Sequence, residues 1–312
     1  MDIPWTVTKT KLGAEPCRVL TVTTMEREIV DREIASMPAC DCVVGIGGGQ
    51  AIDYAKYFSW KRDIRLVTIP TVISVDAFVT PASGLRCKND VIYVGTSTPD
   101  PLVIDYDVIR TAPRELNVAG IGDILSIHTA TFDWELAASR GKSEYPFDEE
   151  SIGRARQLLQ SSVFDKIADI RGVTDDGLWS IVEGYMTINT ICLPLGHYRV
   201  EEGSEHYLFY ALEKKLKRSF IHGHIVGLGV YLMSRLQKND FLRIDEVMNS
   251  VGLKYQPVDM GLSRRDVKEA LQSLKQFVAN RSDLWFTVID DKNITEEWIE
   301  TSLEGLSFAP EL

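Results

Sequence analysis

The stretch Val43-Val44-Gly45-Ile46-Gly47-Gly48-Gly49-Gln50-Ala51-Ile52-Asp53 constrains this chain more than any other. A short apolar run ends in three consecutive glycines. A helical pattern starts at once, with Ala51, Ile52, Ala55 and Phe58 on its apolar face. Glycines at such a turn admit the close approach of another group, because no Cβ stands in the way. The helix start behind them presents unpaired N–H groups and a positive dipole end, which suit a phosphate. The run is not GxGxxG, and it lacks the Lys-Ser/Thr of a P-loop. A tight strand-to-helix turn with no ligand accounts for the spacing equally well.

Around this run the pattern alternates. Strands are predicted over 18–24, 42–46 and 65–69, and helices over 25–37 and 50–60. A hairpin is predicted over 83–95, turning at Lys88-Asn89-Asp90, and a short strand at Leu102-Val103-Ile104-Asp105. Strand, helix and strand in succession imply a parallel sheet with right-handed crossovers. From residue 111 the character changes. Thr111-Ala112-Pro113 is a helix-start signal. Helical periodicity then runs over 114–139, 148–163, 174–193, 203–217, 221–237, 240–251, 264–279 and 295–306. The expected organisation is an α/β domain over 1–110 and an all-α domain over 111–312. The cluster Lys214-Lys215-Leu216-Lys217-Arg218 reads as a solvated helix end, where cations suit the dipole.

A chain of 312 residues, 45% hydrophobic and 25% charged, is long enough to bury a core as a soluble globular protein. Its net charge of −11 argues against a nucleic-acid partner held by phosphate neutralisation. It does not argue against a small anionic substrate, since local charge in a cleft can oppose the global sign. The five cysteines at 17, 40, 42, 87 and 192 are scattered and form no CxxC, so they read as reduced thiols in a cytoplasmic protein. The N-terminal MDIPWTVTKTKLG lacks the apolar centre of a signal peptide. No uncharged run approaches the roughly 18 residues of a membrane span.

Histidine is scarce, at 128, 197, 206, 222 and 224. Three of the five fall in Gly203-Ser204-Glu205-His206 and Ile221-His222-Gly223-His224, at or near predicted helix starts. Two imidazoles on neighbouring antiparallel helices can meet at one point, and a carboxylate from a third helix would complete a three-ligand metal site with an open position. Asp123, within Gly120-Ile121-Gly122-Asp123-Ile124-Leu125-Ser126, is the best candidate. An acid flanked by Ile and Leu on a helix is costly to bury unless it is paired or metal-bound. A structural carboxylate and hydrogen-bonded core or surface histidines are the competing reading.

Taken in order, Gly47-Gly48-Gly49 with Asp53 and Lys56, Ile69-Pro70-Thr71, Gly122-Asp123, Gly203-Ser204-Glu205-His206 and His222-Gly223 resemble one family. They look like the glycerol-1-phosphate dehydrogenases, within the superfamily of iron-containing alcohol dehydrogenases, glycerol dehydrogenases and 3-dehydroquinate synthases. The resemblance covers nearly all of residues 40–306, including Trp285-Phe286-Thr287-Val288-Ile289-Asp290. It implies a dehydroquinate synthase-like fold, with a shortened Rossmann-like α/β domain before an all-α domain that binds metal and substrate. Gly47, Gly48 and Gly49 would lie against the pyrophosphate of NAD or NADP, with Asp53 in the helix behind them. Thr71 and Ser74 would line the nicotinamide side, and Asp76 would lie near the substrate hydroxyls. Asp123, His206 and His222 would hold one divalent metal, zinc or iron, and together with Asp76 form the catalytic set. The implied reaction reduces dihydroxyacetone phosphate to sn-glycerol 1-phosphate, or is a related polyol reaction, in a cytoplasmic homo-oligomer.

The sequence departs from the family pattern in three places. Fewer residues precede the triple glycine than in family members, so the adenosine side of the cofactor site is expected to be cut short, and NAD versus NADP stays open. Tyr210 stands where the family places a second histidine, which argues against the synthase reaction, and Phe209 replaces a small polar residue. His224 replaces a glutamate; an extra ligand, a proton relay and a surface residue are its three readings, the last favoured. A synthase-like lyase acting on a phosphorylated sugar-like substrate, and a non-catalytic metal-binding descendant of the fold, are the alternatives to the dehydrogenase.

Overall fold

The computed structural model describes residues 3–13 and 15–311. Met1, Asp2, Ala14 and Leu312 lie outside the described residues, and with them the first positions of the N-terminal leader reading and the outer ends of the two expected domains. The chain divides into two compact units, Met1–Asn117 and Val118–Leu312. The division falls a few residues into a long helix, where the sequence places it near 110.

The first unit contains, in order, α1 (Ile3–Thr8), α2 (Arg27–Ser36), β1 (Cys42–Gly47), α3 (Gly49–Arg62), β2 (Arg65–Pro70), β3 (Ser83–Cys87), β4 (Asp90–Val94) and α4 (Tyr106–Ile109). β1 and β2 pair in parallel, from Cys42 opposite Arg65 to Gly47 opposite Pro70. α3 is the crossover that a parallel pair requires. Tyr54, Tyr57 and Phe58 on α3 pack with Val30 and Ile34 of α2, Leu85 of β3 and Met25. That cluster fixes the α3 face opposite its solvent side. β3 and β4 form the expected hairpin, closed through Lys88 and Asn89 at φ 52° and 66°. Two successive left-handed residues give the turn whose twist matches that of antiparallel strands.

Two expected strands are not formed. Residues 18–24 bring Leu20 and Val22 onto the core, while Val19 is exposed. Among the described residues, however, no ladder engages them, and the one nearby bridge is Glu26 with Arg86. Alternating apolar residues report which face is buried, but a strand also needs a backbone partner. At 102–105 the sheet gains a single parallel bridge, Thr68 with Leu102. Asp105 turns instead to cap α4, its side chain accepting the N–H groups of Asp107 and Val108.

α5 (Arg114–Ser139) follows Pro113 and continues into the second unit. That unit then contains α6 (Glu149–Ser162), α7 (Ile167–Gly172), α8 (Asp175–Leu195), α9 (Ser204–Leu216), α10 (His222–Gln237), α11 (Phe241–Val251), α12 (Arg264–Ala279), α13 (Val288–Asp291) and α14 (Glu296–Leu303). The ends have local causes. Thr174 caps α8 by accepting the Gly177 N–H at 3.1 Å, and Gly196 ends it at φ 74°. Ser263 and Asp266 form a capping box on α12. α9 packs on both α10 and α12. Leu208 and Leu212 of α9, Val226 and Val230 of α10, and Leu271 and Leu274 of α12 are all buried. The fold class is the predicted one, an α/β unit with a small parallel sheet followed by a helical unit. No helix among the described residues is long and apolar enough to cross a membrane.

Candidate functional site

Within the helical unit, Asp123, His206 and His222 come together. Asp123 lies on α5, His206 in the first turn of α9, and His222 opens α10. His222 Nε2 is 2.9 Å from Asp123 Oδ1, and His206 Nε2 is 3.5 Å from the same oxygen. One ligand atom from each side chain falls within 4.8 Å of the other two. Two helix starts therefore converge on one carboxylate, an arrangement in which both dipoles favour the anion.

Backbone proximity makes this convergence possible. A Cβ on Gly122 would lie 1.8 Å from the carbonyl oxygen of Gly223, so α5 and α10 touch through bare backbone directly beside Asp123 and His222. A Cβ on Gly229 would come 2.4 Å from the Glu205 carbonyl oxygen, which places α10 close to α9 as well.

Burial by itself would push the Asp123 carboxyl up. The charge of His222 and the hydrogen bonds from His206 and His222 outweigh it and hold the group below the ordinary carboxylate range. Burial would likewise lower His206, but Asp123 and Glu205 raise it well above its ordinary value. A buried carboxylate flanked by two imidazoles is a cation site in the making: one oxygen and two nitrogens form a donor set suited to zinc or iron. Phe209 presents its ring edge-on to His222 at 5.0 Å and lies 6.5 Å from His206, so it does face the site and walls it with apolar surface. Tyr210 is buried 6.3 Å from the His206 ring, and its hydroxyl donates to Glu202.

His224 is not the surface residue that the sequence favoured. It is buried, at 4% exposure. Residues two apart on a helix point roughly 200° apart, so His224 does not share the direction in which His222 meets Asp123.

In the α/β unit, the three glycines connect β1 to α3 as predicted. Gly47 takes φ 145°, a conformation that L side chains rarely adopt. Cβ atoms on Gly48 and Gly49 would meet Val72 at 2.9 Å and Val75 at 2.5 Å. The close approach admitted here is thus made in part by the chain's own loop after β2. Thr71 on that loop is buried and donates its N–H to Gly47 O at 3.0 Å; Ser74 and Asp76 follow, both half-buried. These positions gather at the carboxyl ends of parallel strands, where open α/β sheets place ligands. Asp53 pairs with the fully buried Lys56 at 2.8 Å, and its carboxyl is raised by burial against the opposing pull of Lys56. Lys56 also donates to Thr80 O at 3.0 Å and Ala82 O at 2.5 Å, so this pair clamps α3 to the 80–84 segment.

Sequence reading assigned no role to Glu205 or Asp133, both fully buried near the three ligand candidates. Glu205 meets His206 Nδ1 at 2.8 Å. Asp133 accepts the N–H of Ser204 and that of Val288, each at 2.9 Å, joining the starts of α9 and α13. Burial, and then the charge of Glu205, push its carboxyl up to about 6. Acids are common in first helical turns, so nothing distinguished Glu205 in the sequence.

Residues 9–113 match the family described as iron-containing alcohol dehydrogenase. A glycerol-1-phosphate dehydrogenase [NAD(P)+] of Aeropyrum pernix is 30% identical over 292 residues, covering 93% of this chain and 79% of the relative. The protein of the same name from Hyperthermus butylicus is 30% identical over 258 residues, 83% of this chain and 72% of its own length. In fold, the chain is similar to the crystal structure of a probable glycerol dehydrogenase from Sinorhizobium meliloti 1021, with a TM-score of 0.65 at 23% identity over 90% of this chain and 81% of that one. With the Asp123–His206–His222 cluster in place and these likenesses spanning nearly its whole length, the chain belongs to the glycerol-1-phosphate dehydrogenase family of iron-containing alcohol dehydrogenases.

Proposed function

We propose that this protein is a metal-dependent, NAD(P)-linked dehydrogenase that reduces dihydroxyacetone phosphate to sn-glycerol 1-phosphate. The observation that carries this reading is the convergence of Asp123, His206 and His222 within 4.8 Å, in a chain 30% identical to a glycerol-1-phosphate dehydrogenase. The donor set fits one divalent ion, zinc or iron, with Asp123 Oδ1 and the two Nε2 atoms as ligands. When bound, the ion supplies Lewis acidity toward the substrate oxygen and the nicotinamide supplies the hydride.

The protein's own residues do the positioning. Asp123 offsets cationic charge in a site where both imidazoles point at one oxygen. Phe209 keeps water off the His222 side. Gly47, Gly48 and Gly49, with the first N–H groups of α3, seat the cofactor pyrophosphate; Thr71 and Ser74 line its nicotinamide end, and Asp76 takes the substrate hydroxyls. Asp53 acts behind this seat, by holding Lys56 and the start of α3 in place. The protein works as a cytoplasmic homo-oligomer, a setting in which its five free thiols stay reduced.

Dihydroxyacetone phosphate-dependent oxidation of NADH or NADPH by the purified, metal-loaded protein tests the reading. Turnover giving sn-glycerol 1-phosphate is the expected result. Failure with both cofactors across zinc and iron overturns it.

A further inference from the structure

We infer that Glu205 is a positioning residue for the metal site: it fixes the ring of His206 and presents Nε2 as the anchoring ligand. The inference rests on the metal-dependent reading above and extends it to a residue outside the ligand set.

Glu205 is fully buried. Its Oε1 accepts the backbone N–H of Gly203 at 2.6 Å and meets His206 Nδ1 at 2.8 Å. Its Oε2 accepts the Thr129 hydroxyl at 2.7 Å. A carboxylate held from both oxygens cannot rotate away, so it defines where Nδ1 must lie. An ionised carboxylate only accepts hydrogen bonds. The proton of a neutral His206 ring is therefore on Nδ1, and the lone pair is on Nε2, the atom that points at Asp123. Ligating histidines elsewhere are oriented by such carboxylates, and loss of the outer partner typically weakens metal binding about 10–100-fold.

The surroundings are built to keep this acid where it is. Gly203 leaves room for it, since a Cβ there would lie 3.2 Å from Oε2 and 2.9 Å from the Asp133 carboxylate. Thr129 comes from α5, the helix that carries Asp123, so one helix supplies both a ligand and the brace of a second ligand.

Zinc affinity measured by chelator competition tests this. Glu205→Gln keeps the size and one acceptor oxygen but removes the charge. Its zinc Kd should weaken by about 10–100-fold, and the visible spectrum of the cobalt-loaded protein should shift. In a His206→Ala background the same change should have no further effect on zinc affinity, an outcome a merely structural role would not give. Thr129→Val, which frees Oε2, should weaken zinc severalfold and carries the test if Glu205→Gln does not fold. An unchanged zinc Kd in whichever variant folds overturns the inference alone. Failure of the wild type to take up zinc overturns the metal site together with it.

Discussion

Gly122 and Gly223 meet backbone to backbone, with no room for a single carbon between α5 and α10: a Cβ on Gly122 would lie 1.8 Å from the Gly223 oxygen. Each glycine is the immediate neighbour of a ligand candidate, Asp123 on one helix and His222 on the other. Gly122→Ala must therefore move the start of α10, and His222 with it. The expected cost is about 1–3 kcal/mol of stability, with a zinc affinity at least roughly 10-fold weaker, on the scale of losing ligand orientation. Urea denaturation and metal titration of the variant check both numbers. A variant that binds zinc as the wild type does would show that this contact does not set the site.

Removal of a ligand should cost more than removal of its orientation. Asp123→Asn, His206→Ala and His222→Ala are each expected to weaken zinc by roughly 100-fold or more, above the range for outer partners. Elemental analysis after dialysis against a weak chelator reads this directly: the wild type retains about one ion per chain and the variants well under half. Retention of full metal by His206→Ala would remove it from the ligand set.

Metal uptake should release protons. Without metal, His206 titrates well above its ordinary value because Asp123 and Glu205 outweigh its burial. Metal requires the unprotonated imidazole, so zinc Kd should fall as pH rises toward this raised value. The folded value is raised, so His206 stabilises the metal-free protein fully below the unfolded pKa and loses that contribution as pH rises through the folded one. Zinc should consequently add more thermal stability at pH 8 than at pH 6, measurable by melting with and without the ion.

Asp133 gives a second pH signature, from a carboxyl that is not itself a ligand candidate. Its carboxyl is raised from 3.8 to about 6, first by burial and then by Glu205. A raised group favours folding when protonated, so its contribution is complete below the unfolded value and is lost as pH rises through about 6. Asp133→Asn removes the titration but leaves one of the Ser204 and Val288 N–H groups without its acceptor. The stability difference between wild type and variant should be greater at pH 4.5 than at pH 7, by about 1–3 kcal/mol. A difference that does not change with pH would mean that Asp133 does not titrate in this range.

Much of this was legible in the sequence because the signals were local. Pro113 and 3.6-residue periodicity located α5, and the triple glycine marked the turn from β1 into α3. The scarcity of histidine drew attention to His206 and His222, and an acid set between Ile and Leu drew attention to Asp123. What failed depended on contacts distant in sequence. Residues 18–24 have strand patterning, but their partner cannot be read from it. His224 reads as a surface residue because its burial is set by the fold and not by its neighbours in sequence. Glu205 became visible only when Thr129, 76 positions away, was seen to hold its second oxygen.

The central claim is that Asp123, His206 and His222 hold a metal on which dihydroxyacetone phosphate reduction depends. The most direct measurement follows NADH and NADPH oxidation with dihydroxyacetone phosphate before metal removal, after complete chelation, and after reloading with zinc or iron. The account predicts turnover that disappears with the metal and returns with it. Undiminished turnover by the metal-free protein, or none from the fully loaded one, would contradict it.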